Sequence, residues 1–386
     1  MRILFTGQTG IDKKAQLHGL RDYCAQRGRT IDAVFNIGDM MYEESQKSGT
    51  TLKEGKILDL PLAQLGALRL GAFNLIRNGL GRNQGSGTQN VFVNSHAVFR
   101  WNNRLFRAFE LPEVRDLQPD IIVTLIDDVE AVKMRLDQFK ESGALPPDTK
   151  YSLKDLLVWR EEEMLASDIL SSVLGVPHYV LGVSLEEEVS PTPLEVVYHL
   201  MFEPWRKTAY VSYPISEARA RPDIWEKVSR YRRLARSYLT AFDPLMIDEK
   251  RLLDVLEEGP AEAQELECTV LGKTVTLERR EIEAIRDDID GQVVARDLKL
   301  IDQSEMVVAY FPARADGNPL IAGGVQSEIE HAESSTKDIV IVWEASRGPT
   351  PFIGRKGDGR LLRSLEELED YLKSISQRPG QQEMSL

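Results

Sequence analysis

Cysteine is scarce in this chain of 386 residues. Long apolar runs and an excess of basic over acidic residues are absent from it. Its two cysteines, Cys24 and Cys268, have no Cys or His near them at metal-ligand spacing. We therefore expect buried thiols in a reducing compartment, with neither a disulfide nor a metal site. No run approaches the roughly 18 to 20 apolar residues of a membrane helix, and no secretory leader is visible. These absences predict a cytoplasmic protein without a membrane partner.

The acidic net charge bears on which partners the chain can bind. The net charge is −13, whereas a protein that follows a phosphate backbone needs clustered Lys and Arg side chains. We therefore do not expect nucleic acid as a partner. Charged residues make up 28% and hydrophobic residues 42%, which is typical of globular proteins, and the length predicts two domains.

What the sequence does contain is a repeated alternation of short apolar strands and amphipathic helices. This pattern predicts an α/β fold of two domains, each a mainly parallel sheet with helices on both faces. An acidic stretch with prolines, "EEEVSPTP", favours a boundary between them. The predicted divisions are a first domain at 1–187, a linker at 188–206, a second domain at 207–375 and a flexible tail at 376–386.

Four local predictions are specific enough to compare with a structure. We predict one strand in "QNVFVNSHAVFRW" (89–101) and a helix in "RLFRAFEL" (104–111). A single helix is predicted over 280–302. Within the second domain, "LECTVLGKTVTLE" (266–278) alternates about a Gly-Lys pair and predicts an inserted hairpin.

The first predicted strand leads into "GQTGIDKK", which partly fits a phosphate-binding loop. Such a loop has Gly, four residues, then Gly-Lys-Ser/Thr, and Gly7 and Lys13 fit this spacing. Asp12 replaces the second Gly, and Lys14 or Ala15 stands in place of the hydroxyl that binds magnesium. Lys13 and Lys14 are candidates to hold an anion at the helix start, the open alternative being a solvated helix N-terminus.

Three further segments, together with this loop, make residues 1–185 resemble adenylate kinases of the archaeal type. "VFVNSHAVFRW" matches a strand that ends in Asp-Thr-His in those kinases. "LQPDIIVTLIDDVEAVKMRL" is similar to their strand-helix unit with an Arg near the nucleotide, and "LKDLLVWREEEMLASDIL" is similar to the helix after their lid. The resemblance implies a site for ATP or another nucleotide, with His96 open to a purely structural role; its residues would be Gly7, Gly10, Lys13, Lys14, His96 and Arg135.

The departures from this kinase pattern all fall in the part of the site that holds the phosphates and their magnesium ion. In the family, the Asp of Asp-Thr-His helps to hold magnesium, whereas this chain has Asn94. Together with Asp12 and Lys14, this change removes groups that position the metal for phosphoryl transfer. We therefore expect an inactive or nucleotide-sensing scaffold without its magnesium ligands. The alternative is an active nucleoside monophosphate kinase.

Four pieces of residues 207–375 resemble, in order, the nucleoside 2-deoxyribosyltransferase family. They are "KTAYVSYPIS", "VARDLKLIDQSEMVVAYFP", "AGGVQSEIEHA" and "KDIVIVW". The resemblance implies cleavage of the bond between base and sugar. Glu328 would be the nucleophile, Asp297 would handle the base and its proton, and Tyr210 would orient the Glu.

Elementary chemistry gives a separate reason to examine Glu328. Cleavage of an N-glycosidic bond leaves positive charge on the sugar carbon, which a nearby carboxylate can attack or stabilise. We expect Glu328 in the first turn of a helix after Gly323 and Gly324, where the positive helix end would lower its pKa and the glycines would admit a sugar. The ordinary alternatives are a helix-start acid for Glu328 and an exposed charge for Asp297.

Substrate recognition departs from the family at one position. Transferases carry an Asp six residues before the nucleophile, but this chain has Ala322, which leaves both recognition of 2-deoxyribose and transfer to a second base open. Asp316, Asn318 and Asp302 are candidate substitutes. Arg219 and Arg221 are candidates to hold a 5′-phosphate, with a solvated or ion-paired helix face as the alternative.

These observations predict an enzyme that cleaves or exchanges the base of a nucleoside or nucleotide. The glycosidic chemistry requires no cofactor and no metal, and the partner is a small molecule. A homo-oligomer is plausible because family members often complete their sites across subunits. The alternative is a non-catalytic nucleotide sensor or interaction protein, which would bind without turnover.

Overall fold

A computed structural model describes residues 1–47, 49, 57–82, 89–101, 104–146, 148–183, 190–356 and 360–376. The chain forms two compact units. The first unit comprises Met1–Val183 with Glu249–Asp290, and the second comprises Ser184–Asp248 with Gly291–Leu386. The two-domain α/β prediction is confirmed, because each unit contains a parallel five-stranded sheet with flanking helices.

The first unit is built on a sheet of order β2-β3-β1-β6-β7, in which every neighbouring pair is parallel. A short 3₁₀ helix spans Ile57–Asp59. The other elements up to residue 183 are β1 Arg2–Thr6, α1 Lys13–Gln26, β2 Ala33–Asn36, α2 Ile37–Lys47, α3 Leu62–Arg82, β3 Val91–Asn94, β4 Val98–Trp101, β5 Arg104–Arg107, α4 Leu111–Leu117, β6 Ile121–Ile126, α5 Val129–Glu141, α6 Leu153–Leu174 and β7 His178–Gly182.

The centre of this sheet follows directly from composition. All of β6 is buried, as is β1 after its first residue, so both strands read as continuous apolar runs. In register, Ile3 of β1 pairs with Phe92 and with Ile121. The loops after β1, β2 and β3 therefore meet at one edge of the sheet, where parallel α/β folds place their ligand sites.

The second unit has a sheet of order β14-β13-β12-β8-β9, again parallel throughout. A 3₁₀ helix spans Pro244–Met246. The remaining elements of the chain are α7 Pro193–Phe202, β8 Thr208–Ser212, α8 Ile215–Arg219, α9 Pro222–Tyr238, β9 Thr240–Phe242, α10 Lys250–Glu258, β10 Glu265–Val270, β11 Lys273–Glu278, α11 Arg279–Glu283, α12 Arg286–Asp302, β12 Met306–Phe311, α13 Gly323–Ser334, β13 Asp338–Trp343, α14 Pro351–Gly354, β14 Leu361–Leu362 and α15 Leu365–Ile375.

Two local predictions in the first unit are wrong. The strand predicted over 89–101 is divided into β3 and β4, and the first half of the helix predicted over 104–111 is the strand β5. β4 and β5 pair antiparallel, with Val98 opposite Arg107. The chain leaves the sheet after β3 because the backbone N–H groups of Ala97 and Val98 donate to the buried carboxylate of Glu163, each at 2.8 Å.

The predicted domain boundaries also need a correction, because 249–290 belongs to the first unit. Glu249 is fully buried and accepts hydrogen bonds from both terminal guanidinium nitrogens of Arg160, the longer at 3.0 Å. Lys133 and Glu281 form a further ion pair at 3.8 Å. Through these contacts, 249–290 joins the first unit, although in sequence it lies between two stretches of the second unit.

The predicted hairpin itself is confirmed. β10 and β11 pair antiparallel, and the turn residues Leu271 and Gly272 have φ of 50° and 72°, as a tight two-residue turn requires. The helix predicted over 280–302 is instead two helices, α11 and α12. Most of the predicted linker is α7, and only Ser376 of the predicted tail lies within the described residues.

Candidate functional site

The second unit brings Glu328 against the carboxyl-terminal part of β8. Successive strand residues face opposite sides, so Tyr210 and Ser212 share one side of β8. The Tyr210 hydroxyl donates to Glu328 Oε1 at 2.9 Å, and the Ser212 hydroxyl donates to Oε2. Both oxygens of the carboxylate therefore have a fixed donor from a fully buried residue.

Ser212 was not among the sequence candidates. Its signal was present in "YVSYP", because a residue two positions from Tyr210 on the same strand points to the same face. The contact between Tyr210 and Glu328 agrees with the geometry that the family resemblance implied.

The helix position of Glu328 differs from the prediction. α13 begins at Gly323, so Glu328 is its sixth residue and lies in the second turn. Burial and then the nearby charge of Asp297 raise the pKa of Glu328, the hydroxyls of Ser212 and Tyr210 lower it, and the result is a pKa of about 7. The expected lowering of this pKa by the helix start is therefore wrong, since the helix field falls off beyond the first turn and burial prevails.

Asp297 is the second titrating carboxyl of the site. Its pKa is raised to about 6, mainly by burial, with Arg296 lowering it and Asp243 raising it. Arg296 Nε lies 3.8 Å from Asp297 Oδ1, and this oxygen accepts no hydrogen bond from the described residues. Asp297 is thus partly buried and is not the exposed helix charge that the ordinary alternative required.

Asp243, which acts on the pKa of Asp297, belongs to a buried ion pair that sequence reasoning did not identify. Its carboxylate accepts from Arg232 Nε at 2.7 Å and from the Tyr213 hydroxyl at 2.8 Å. It also accepts from the backbone N–H of Leu245 at 2.9 Å, at the start of the 3₁₀ helix. The negative charge of Asp243 contributes to the raised pKa of Asp297.

The two glycines at the start of α13 stand beside open space. A Cβ added to Gly323 or Gly324 would meet no atom within 4 Å. Ala322, at the N-cap, makes no side-chain capping bond. Packing within the protein therefore does not require these glycines, and the helix start leaves room for a ligand.

Three other predicted binding residues form ion pairs or are exposed. Asp302 ends α12 and accepts from His331 Nε2 at 2.7 Å, in the C-terminal part of α13, whereas Tyr210 and Ser212 contact Glu328 nearer the helix start. Arg219 pairs with Asp248 at 2.6 Å, and Arg221 is an exposed residue before α9. The ion-paired and solvated alternative describes these two arginines.

The loop after β1 in the first unit uses its glycines for close packing. Gly7 has φ of 134°, and an added Cβ would collide with the carbonyl oxygen of Leu125. Gly10 has φ of 94°, and an added Cβ would lie 2.9 Å from Val132 Cγ1. Both glycines are thus needed by the fold itself.

Lys13 turns its ammonium group back onto this loop. Nζ donates to the carbonyl oxygen of Gly7, lies 3.4 Å from that of Gln8, and is 3.3 Å from His96 Nε2. Burial lowers the pKa of Lys13 to about 8, while the carboxylate of Glu163 opposes that shift. Glu163 also accepts the backbone N–H of Gly7 at 2.8 Å and was missed by sequence reasoning.

The remaining residues predicted to bind a nucleotide have protein partners. Lys14 pairs with Asp39 at 2.6 Å. Arg135 donates to the carbonyl oxygen of Gly10 at 2.8 Å and to Asp127 Oδ2 at 2.5 Å. Burial, and then Lys13, lower the pKa of His96 well below its usual value, so its ring is neutral at pH 7.

A cavity of about 340 Å³ opens beside this loop, at the edge where β1, β2 and β3 end. The loop residues, Asn36, Asn94 and His96 form one part of its wall. Within the described ranges, no group of three His, Cys, Asp or Glu side chains is arranged to hold a metal ion.

A scan of the chain against protein-family models and a search of curated proteins each gave no match. Among the helices in the described part of the chain, none combines the length and apolar character needed to cross a bilayer.

Proposed function

We propose that the second unit cleaves or exchanges the N-glycosidic bond of a nucleoside or nucleotide. The observation that carries this proposal is the Glu328 carboxylate, fixed at both oxygens by Tyr210 and Ser212 beside a second carboxyl group, Asp297. Two nearby carboxyl groups with pKa values of about 7 and about 6 suit a reaction that needs one of them ionised and the other protonated.

The reaction assigns a role to each group. A Glu328 oxygen bonds to the anomeric carbon while the bond from that carbon to the base nitrogen breaks. The electron pair of the broken bond stays on the base, which takes the proton of Asp297. A water oxygen then bonds to the anomeric carbon while the bond from that carbon to Glu328 breaks, its electron pair returns to the carboxylate, and a proton of the water passes to Asp297. A second base can take the place of water, which gives exchange. Tyr210 and Ser212 hold Glu328 during both steps, and none of these steps requires a cofactor.

The first unit is proposed as an accessory binding unit for a related metabolite. Asp12, Lys14 and Asn94 stand where a kinase of the resembled type would have its Gly and its magnesium-holding groups. We derive no phosphoryl transfer from this unit, because the residues present do not fit a magnesium-bound triphosphate.

The test is release of free base. The full chain is incubated with deoxynucleosides, ribonucleosides, their 5′-monophosphates and NAD, and free base is measured by chromatography. We expect release from at least one class, and its loss in Glu328→Gln. Undiminished release by that variant, or binding without release across the whole panel, would remove the proposed mechanism.

A further inference from the structure

The cavity of the first unit has an apolar body and a polar rim. Its size is at the lower end of the roughly 300–1,000 Å³ of small-molecule sites, and apolar and aromatic side chains supply most of its wall. Phe99, whose ring centroid is 4.1 Å from that of His96, offers a flat surface beside the loop. The other large apolar wall residues include Ile37, Met41, Tyr42, Leu65, Trp101 and Phe139.

The basic side chains of the cavity wall already have carboxylates or carbonyl oxygens near them. Lys14 is paired with Asp39, and Lys13 is held by its own loop with Glu163 behind it. Burial lowers the pKa of Arg69, while the carboxylates of Glu110 and Glu113 oppose this shift. A ligand with several negative charges would therefore find little unbalanced positive charge in this cavity.

The polar rim offers amide groups suited to an uncharged ligand. Asn94 Nδ2 donates to Asn36 Oδ1 at 2.9 Å, and both residues line the cavity. Asn94 Oδ1 is buried and accepts no hydrogen bond from the described residues. Such an acceptor is costly to leave unsatisfied, so a turn of the Asn94 amide that brings Oδ1 to an N–H group of a ligand would be favourable.

We propose that this cavity binds an uncharged planar heterocycle, as a free nucleobase or its nucleoside, in preference to a magnesium-bound triphosphate. The apolar wall would cover the ring faces, and Asn94 would accept from a ring or amino N–H group. Because the ligand class is taken from the reaction of the second unit, this inference rests on the proposed function. The first unit would then sense the substrate or the released base.

The test uses the full chain carrying Glu328→Gln, so that no ligand is consumed. Isothermal titration calorimetry measures adenine, guanine, uracil, thymine, their nucleosides and 5′-monophosphates, and ATP with magnesium. Asn94→Ala and Asn36→Ala alter the rim, and Asn78→Ala, an exposed position on α3, is the matched control. Circular dichroism checks that each variant is folded.

We expect a base or nucleoside to bind, with at least tenfold weaker binding in Asn94→Ala and unchanged binding in the Asn78 control. The corresponding triphosphate should bind at least tenfold more weakly than the nucleoside. Tighter binding of ATP than of adenosine would overturn the inference, and this comparison needs no rim variant. Binding that neither Asn94→Ala nor Asn36→Ala weakens would also overturn it.

The two proposals fail separately. Base release that depends on Glu328, together with ligand binding indifferent to Asn94 and Asn36, would remove only the sensing cavity. Binding that depends on Asn94, together with no base release by the unmodified chain, would remove only the proposed reaction and leave the cavity with its ligand.

Discussion

Glu328 of the second unit and Lys13 of the first lie in helices that flank parallel sheets, yet their surroundings differ. Glu328 is held by two side-chain hydroxyls and lies near a second carboxyl group, and its pKa is about 7. Lys13 is held by carbonyl oxygens of its own loop, beside a neutral His96. A carboxylate held in this way can still exchange a proton, whereas the ammonium group of Lys13 is engaged by the fold.

The glycines of the two regions show the same contrast. Gly7 and Gly10 have no room for a Cβ, because β6 and α5 pack directly against the loop. Gly323 and Gly324 stand beside open space. A glycine-containing loop thus serves packing in one unit and leaves room for a ligand in the other, which the loop sequence alone does not distinguish.

The largest effect is expected at Glu328. Glu328→Gln removes the nucleophile but keeps the shape of the side chain, so base release should fall by about a thousandfold or more. Glu330→Gln is the matched control, because Glu330 is an exposed acid two residues further along the same helix. Initial rates of base release measure both, and equal losses would contradict a specific role for Glu328.

Asp297→Asn should lower base release by about 100- to 10,000-fold, the usual contribution of a general acid. Asp302→Asn, on the same helix, should stay close to the unmodified chain because Asp302 pairs with His331. The loss in Asp297→Asn should shrink for a substrate whose leaving group needs no proton. A loss of the same size on every substrate would argue against proton donation by Asp297.

Sequence reasoning identified the elements that are decided locally. The buried runs of β1 and β6 and the alternation along the chain were sufficient for the fold class. The β4–β5 hairpin and the placement of 249–290 were missed, since both depend on contacts between distant residues such as Arg160 and Glu249.

The residues of the candidate site also fall into those that a local sequence pattern reveals and those that it does not. Glu328 and Tyr210 could be named because each lies in a recognisable local pattern, and Ser212 could have been added from strand alternation. Asp243 and Glu163 could not, because their burial is decided by side chains far away in sequence. The raised pKa of Glu328 has the same origin, since it arises from burial and from Asp297.

The pH dependence distinguishes the two carboxyl roles. The reaction needs Glu328 ionised, which is lost as pH falls below about 7, and Asp297 protonated, which is lost as pH rises above about 6. The profile of kcat/KM should therefore be bell-shaped with its maximum at about pH 6.5, falling about tenfold per pH unit well outside this range. Asp297→Asn should remove the alkaline limb and move the acid limb to lower pH, because the charge of Asp297 raises the pKa of Glu328. Loss of the acid limb in that variant would reverse the assignment.

Ser212→Ala should have a smaller effect, of about tenfold on base release, because Tyr210 still holds one oxygen of Glu328. The hydrogen bond from Ser212 lowers the pKa of Glu328, so its removal should move the acid limb of the pH profile to higher pH. Ser212→Thr keeps a hydroxyl and should restore the limb. A rate loss with an unchanged acid limb would indicate a packing role only.

The smallest effect on base release is expected at Lys13. Lys13→Met should leave the rate within about twofold of the unmodified chain, because this ammonium group has no place in the glycosidic reaction. It should still destabilise the protein by about 1 to 3 kcal/mol, since the carbonyl oxygens of Gly7 and Gln8 would lose a buried donor. Urea unfolding followed by circular dichroism measures the stability, and Lys14→Met, an exposed ion-paired neighbour, is the control. A large loss of base release in Lys13→Met with stability unchanged would mean that the loop takes part in the reaction, and the contrast between the two units would then fail.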